Sequence, residues 1–186
     1  MRDKTSTKSK LTATEFAQLP ETLVPKELIH GELIEMSAPK NRHQDIVLNI
    51  AVFLRDYSRQ HGGKAVIAPM NVFLDEFNVV QPDVFWVHPE SDRCALGQDD
   101  WWHGAPDLAV EVFSTSTTRH DRVVKFRLYE QFGVREYWMI DPENGLIEIW
   151  GLQNHKFVGL GIYEKGDEFI SVVLNHTKIL ADDLLV

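Results

Sequence analysis

The chain has 186 residues, 44% hydrophobic and 25% charged, with a formal net charge of −9 and a single cysteine, Cys94. That length suits one domain with a substantial core, and one cysteine excludes an internal disulfide and fits a reducing compartment. The acidic balance argues against strong non-specific binding to nucleic acid, which depends on basic surface.

In chain order, residues 1–10 (MRDKTSTKSK) read as a disordered tail. It is polar and basic with no apolar h-region behind it, and no run in the chain reaches the roughly 18 apolar residues of a membrane span, so a cytoplasmic protein without membrane contact is expected. Residues 11–186 are expected to form one domain. LTATEFAQLP predicts a short helix ended near Pro20, with Thr12 or Thr14 as N-cap. KELIHGELIEMSA alternates around Gly31 and predicts two short strands or a hairpin. From His43 to His61 the period becomes helical, with Ile46, Ile50, Phe53, Leu54 and Tyr57 on one face and a stop at Gly62-Gly63.

Four strand candidates follow: KAVIAP, NVFLDE, VVQPDVFWV and DLAVEVF. The acidic, Gly/Pro-punctuated HPESDRCALGQDDWWHGAP between the last two predicts a loop with one helical turn, and Trp101 and Trp102 within it are expected to pack over the core. A second helix is predicted over 117–132, closed by Gly133. EYWMI and LIEIW flank the turn residues Asp141 to Gly145, and the remainder predicts further strand with a turn at Lys165-Gly166-Asp167. Helix, strands, helix, strands is an α+β order, with a central mixed sheet flanked by helices.

Charge intrudes on this apolar pattern at three places. Asp83 immediately precedes the run Val84 to Val87, where a strand-start aspartate would account for it alone. Glu111 lies inside LAVEVF with apolar neighbours on both sides. An unpaired buried carboxylate costs several kcal/mol or takes up a proton, so Glu111 needs a cationic partner unless its strand is an edge facing water. The second helix offers one. At about 100° per residue, Asp121, Val124, Lys125, Leu128 and Phe132 share a face, with Tyr129 at its edge. An i,i+4 pair and a capping box from Thr118 to Asp121 would explain the acid. They explain Lys125 less well, because a lysine near a helix N-terminus opposes the macrodipole unless something negative is close. His43 begins the first long helix on the face of Val47, Ile50 and Leu54, where a structural histidine is the ordinary occupant. One cysteine and scattered histidines give no zinc-ligand spacing. Two carboxylates and a lysine instead suit Mg²⁺ or Mn²⁺ and phosphodiester hydrolysis.

The stretches KELIHGELIEMSAP with His43, QPDVFWV, and GAPDLAVEVFSTSTTRHDRVVKFRLYEQFGVREYWMIDP resemble the Uma-two family of restriction-endonuclease-like proteins, in the PD-(D/E)XK nuclease superfamily. They cover most of residues 11–150. The resemblance implies a restriction-endonuclease-like core, with Asp83 as the PD aspartate and Glu111 as the second metal ligand. The superfamily's lysine, two residues after the acid, is replaced here by Phe113, which makes Lys125 its migrated counterpart. Glu27 and His43 match further family positions, either in the metal site or supporting it; Ser114 and Asp121 fall in the long motif as structural support.

The expected function is therefore a Mg²⁺- or Mn²⁺-dependent endonuclease acting on DNA, with Asp83, Glu111 and Lys125 as the catalytic set. The alternative is a catalytically silent binding or regulatory module of the same fold, supported by the acidic charge; an RNA or nucleotide substrate is the third reading. The strand-rich C-terminal third is the expected interface of a homodimer.

Overall fold

The structure is a computed structural model, and it describes residues 10–20, 22–113 and 119–186; the side chains of 119–121 fall outside the description. The expectations for the tail (residues 1–9), for Ser114 and for the Thr118 cap therefore lie outside the described residues, as does the side chain of Asp121. Helix α1 (Ala13–Ala17) starts at Thr12, whose hydroxyl accepts the Glu15 N–H while the Glu15 carboxylate accepts the Thr12 N–H at 2.8 Å. This reciprocal pair satisfies two donors that a helix start leaves open. It lets a five-residue helix seat Ala13 and Phe16 on Leu28 and Val79. Thr12→Ala is expected to cost about 1 kcal/mol, read as a lower urea midpoint. An unchanged midpoint would show that the box contributes nothing here.

Strands β1 (Lys26–Ile29) and β2 (Glu32–Glu35) form the expected hairpin, turned by His30 and Gly31 at φ 53° and 80°. Positive φ at both central residues matches the twist of the flanking strands. Helix α2 (Asn41–His61) buries Ile46, Ile50, Leu54 and Tyr57 as its period requires, and Gly62 ends it at φ 82°. No helix among the described residues is long and apolar enough to cross a membrane.

Next come β3 (Lys64–Ile67), β4 (Val72–Asp75), β5 (Asn78–Val80), β6 (Val84–Val87), β7 (Cys94–Leu96), β8 (Trp102–Gly104) and β9 (Leu108–Val112). Helix α3 (Arg119–Phe132) leads to β10 (Glu136–Asp141), β11 (Leu146–Gln153), β12 (Lys156–Tyr163), β13 (Glu168–Ser171) and β14 (Thr177–Leu180). The strands form two six-stranded sheets, ordered β2-β1-β5-β4-β8-β7 and β12-β11-β10-β9-β6-β3, plus the β13–β14 hairpin. The α+β class with a mixed sheet and flanking helices is thus observed, with two large sheets rather than one.

Two sequence expectations are corrected. VVQPDVFWV is not one strand: β5 belongs to the first sheet and β6 to the second. Pro82 lies between them, and without an N–H it cannot extend a ladder, so the chain changes sheet there. The acidic segment is not a loop with a helical turn; it contributes β7 and β8, which pair antiparallel. Trp102 is buried in β8 with its ring edge-on to Phe85, and Trp101 lies beside Phe73, so both pack on protein as expected.

The second sheet is covered on both faces. Ile46, Ile50 and Leu54 of α2 pack with Val84, Trp86, Val110 and Trp138 on one side. Leu128 and Tyr129 of α3 pack with Phe85, Ala109, Tyr137 and Met139 on the other. Alternation along β9 therefore sends Val110 and Val112 to α2 and Ala109 and Glu111 toward α3. This places a carboxylate inside an apolar layer.

Candidate active site

The site lies where β6 begins and β9 ends. These strands run antiparallel with Val84 opposite Val110, so one step further along the register Asp83 stands across from Glu111. Asp83 is held there by the Val112 N–H, which donates to its Oδ2 at 2.7 Å. His43, from the first turn of α2, approaches the same oxygen with Nε2 at 3.2 Å. Burial opposes the His43 imidazolium, but the hydrogen bond to Asp83 and the charges of Asp83 and Glu111 outweigh it, and the net pKa shift is upward. Among the described residues, its buried Nδ1 has no hydrogen-bond partner.

Glu111 is buried, and α3 supplies its partners. Lys125 Nζ donates to Glu111 Oε1 at 3.0 Å and Tyr129 Oη donates to the same oxygen at 2.6 Å. The one-turn spacing of Lys125 and Tyr129 puts both over the strand, which is why a buried carboxylate is tolerated there. Burial nevertheless pushes the Glu111 carboxyl up to about 7, with Lys125 pulling the other way and the charges of Asp83 and Glu27 adding to the rise. Lys125 is held above the ordinary lysine range: burial alone would lower it, but Glu111 and Glu27 together favour the ammonium more strongly.

Glu27 completes the cluster. It comes from β1 of the other sheet, is 2% exposed, and accepts from Lys125 Nζ at 2.5 Å and from the Gln81 N–H at 2.7 Å through one oxygen, Oε1. Lys125 thus stands between two glutamates from two sheets. The structure brings Glu27, His43, Asp83, Glu111 and Lys125 onto the lining of one cavity of about 620 Å³.

Two other buried carboxylates show what distinguishes this cluster. Glu136 accepts from the Trp138 indole at 2.7 Å and from the Val172 N–H at 2.8 Å, anchoring the C-terminal segment. Asp107 accepts from the His88 N–H at 2.8 Å and pairs with Arg135 at 3.1 Å. Both are fully engaged structural groups, and neither lines the cavity that Asp83 and Glu111 share.

Sequence periodicity placed Tyr129 at the edge of the α3 face; it is 0% exposed and at the centre of the buried stripe. Periodicity also did not find the bond from Lys125 to Glu27, which joins residues 98 positions apart. The available signal was the alternation of KELI, which sets Glu27 on the same side as Ile29.

Comparison with known proteins bears on the fold and the family. No curated protein matches the chain. A crystal structure described as a "putative nuclease belonging to DUF820" from Anabaena variabilis superposes with a TM-score of 0.76 at 18% identity, covering 94% of this chain and 97% of that one. At that identity the likeness shows a shared fold. The family model described as "Putative restriction endonuclease" matches residues 13–178, and the chain accordingly belongs to the Uma2 family.

Proposed function

We propose that this protein is a metal-dependent endonuclease that hydrolyses DNA phosphodiester bonds, with Asp83 and Glu111 as ligands of Mg²⁺ or Mn²⁺ and Lys125 as the charge-stabilising group. The observation that carries this reading is the meeting of Asp83, Glu111 and a buried lysine at one end of a sheet, on the wall of a cavity.

The donor set fits a hard cation. Asp83 uses Oδ2 for its contacts and Glu111 uses Oε1, so among the described residues Oδ1 and Oε2 are without hydrogen-bond partners. No group of three or more His, Cys, Asp or Glu side chains among the described residues is arranged to hold a metal. Two carboxylates supplemented by water are, however, a set that Mg²⁺ accepts, because it retains much of its hydration. When bound, such an ion supplies Lewis acidity toward a phosphoryl oxygen and lowers the pKa of water.

The protein's own groups do the rest. Lys125 has three N–H donors; among the described residues two go to Glu27 and Glu111, and the third is the one to serve a phosphate oxygen in the cavity. Its fixed position means that charge developing on that oxygen meets a donor already in place. Glu27 holds the ammonium and Tyr129 orients Glu111, while His43 and the Val112 N–H fix the Asp83 carboxylate.

The net charge of −9 favours a second reading, a module of this fold without catalysis. Supercoiled plasmid with Mg²⁺ or Mn²⁺ separates the two. Wild type is expected to nick it, and Asp83→Ala and Lys125→Ala to slow nicking by about 100-fold or more. Equal behaviour of all three proteins would leave the silent module as the better account.

A further inference from the structure

Resting on the nuclease reading, the shape and charge of the cavity say which form of DNA can reach the carboxylates. We propose that the strand is cut unpaired: the cavity takes one nucleotide of single-stranded or locally melted DNA, its base against the β2 wall and its phosphodiester at Asp83, Glu111 and Lys125.

The first argument is size. At about 620 Å³ the cavity is in the range that encloses a small molecule such as a nucleotide, and it is too small for a duplex. Glu27, Asp83, Glu111 and Lys125 belong to this enclosure and are buried or nearly so, so the reacting phosphate must come to them.

The second argument is the lining. Ile29 of β1, Ile34 of β2, Met36 just after it and Val47 of α2 give the same cavity an apolar part of its lining. An extruded base is held in this way, between apolar side chains with polar groups at its edge. Gln44 and His30 line the same space and offer such polar groups.

The third argument is charge. Among the described residues, the lining carries Glu27, Glu32, Glu35, Asp83 and Glu111 against a single lysine, Lys125. Lys26, beside this wall, is tied to Glu35 at 3.3 Å. Duplex affinity comes from neutralising many phosphates at once, and a duplex laid across β2 would bring its backbone against Glu32 and Glu35. An unpaired nucleotide brings one phosphodiester to the cation and Lys125, and its neutral base tolerates the acidic rim.

The test uses one labelled oligodeoxynucleotide presented as a single strand, as a matched duplex and as a duplex with a central bubble, each with Mn²⁺. The single strand and the bubble are expected to be cut at least about tenfold faster than the matched duplex, since melting is the cost they avoid. A matched duplex cut as fast as the single strand overturns the proposal while leaving the nuclease reading intact. If the wild-type protein cuts none of the three, the nuclease reading itself fails and takes this inference with it. Ile34→Trp, at a strand position 37% exposed, adds bulk to the apolar lining of the cavity and leaves the carboxylates themselves unaltered. It is expected to slow single-strand cleavage about tenfold or more with Mn²⁺ binding and Tm unchanged. Met36→Trp serves the same end should the first variant fold poorly. A folded variant of either kind that cuts the single strand at the wild-type rate overturns the placement of the base.

Discussion

Lys125→Met is expected to lower stability by about 3–5 kcal/mol and to abolish nicking. The reason is that Lys125 is 7% exposed and is the shared cation of Glu27 and Glu111. Removing it leaves two carboxylates facing one another in a buried site, and an uncompensated buried charge costs more than the pair contributed. For a chain of this size the loss corresponds to a fall in Tm on the order of 10 °C. Adding Glu27→Gln to Lys125→Met is expected to restore part of that loss, since the double variant buries one acid fewer, while nicking stays absent. Thermal unfolding with EDTA measures the first effect, and plasmid conversion with Mn²⁺ the second. A Tm within about 2 °C of wild type would mean that the cluster is solvated and weak.

Glu111→Gln is expected to flatten the pH dependence of stability in the metal-free protein. Burial raises the Glu111 carboxyl from its ordinary 4.5 to about 7, so the fold prefers the protonated acid. Its contribution is therefore fully present below about pH 4.5 and lost as the pH rises through about 7. The drop has an upper size of about 3 kcal/mol. His43, also raised, acts in the same direction with its contribution lost at higher pH, and Lys125 titrates above this window altogether. Glutamine keeps an oxygen for the Tyr129 hydroxyl and the Lys125 ammonium, so the variant removes the titration and not the contacts. Urea unfolding at about pH 5 and about pH 8, either side of the Glu111 titration, should show a smaller difference for the variant than for wild type. Equal differences would assign the pH dependence to other groups.

Both predictions concern residues that one sequence marks by contrast with their surroundings. Glu111 stands out because two apolar neighbours on each side leave no polar face for it. Lys125 stands out because a cation in the opening turns of a helix needs a nearby anion. The elements that carry them were legible for the same reason: α2, α3, the β1–β2 hairpin and the β10–β11 hairpin each repeat their pattern long enough, or turn sharply enough, to declare themselves.

What the amino-acid order by itself determined was thus local: the helices with their periods, the long strands, the α+β class, and the presence of charge where core was due. Tertiary structure alone decided the rest. Strands of three residues such as β5, β7 and β8 have too few alternations to be read, and they exist because neighbouring strands offer them hydrogen bonds. The break of VVQPDVFWV between two sheets follows from which partners stand on either side of Pro82. The second glutamate on Lys125 follows from the first sheet carrying Glu27 across 98 positions of chain to a helix on the second. Periodicity reports only a residue's own helix or strand, whereas a buried charge is neutralised by whatever the packing of separate elements brings within about 3 Å.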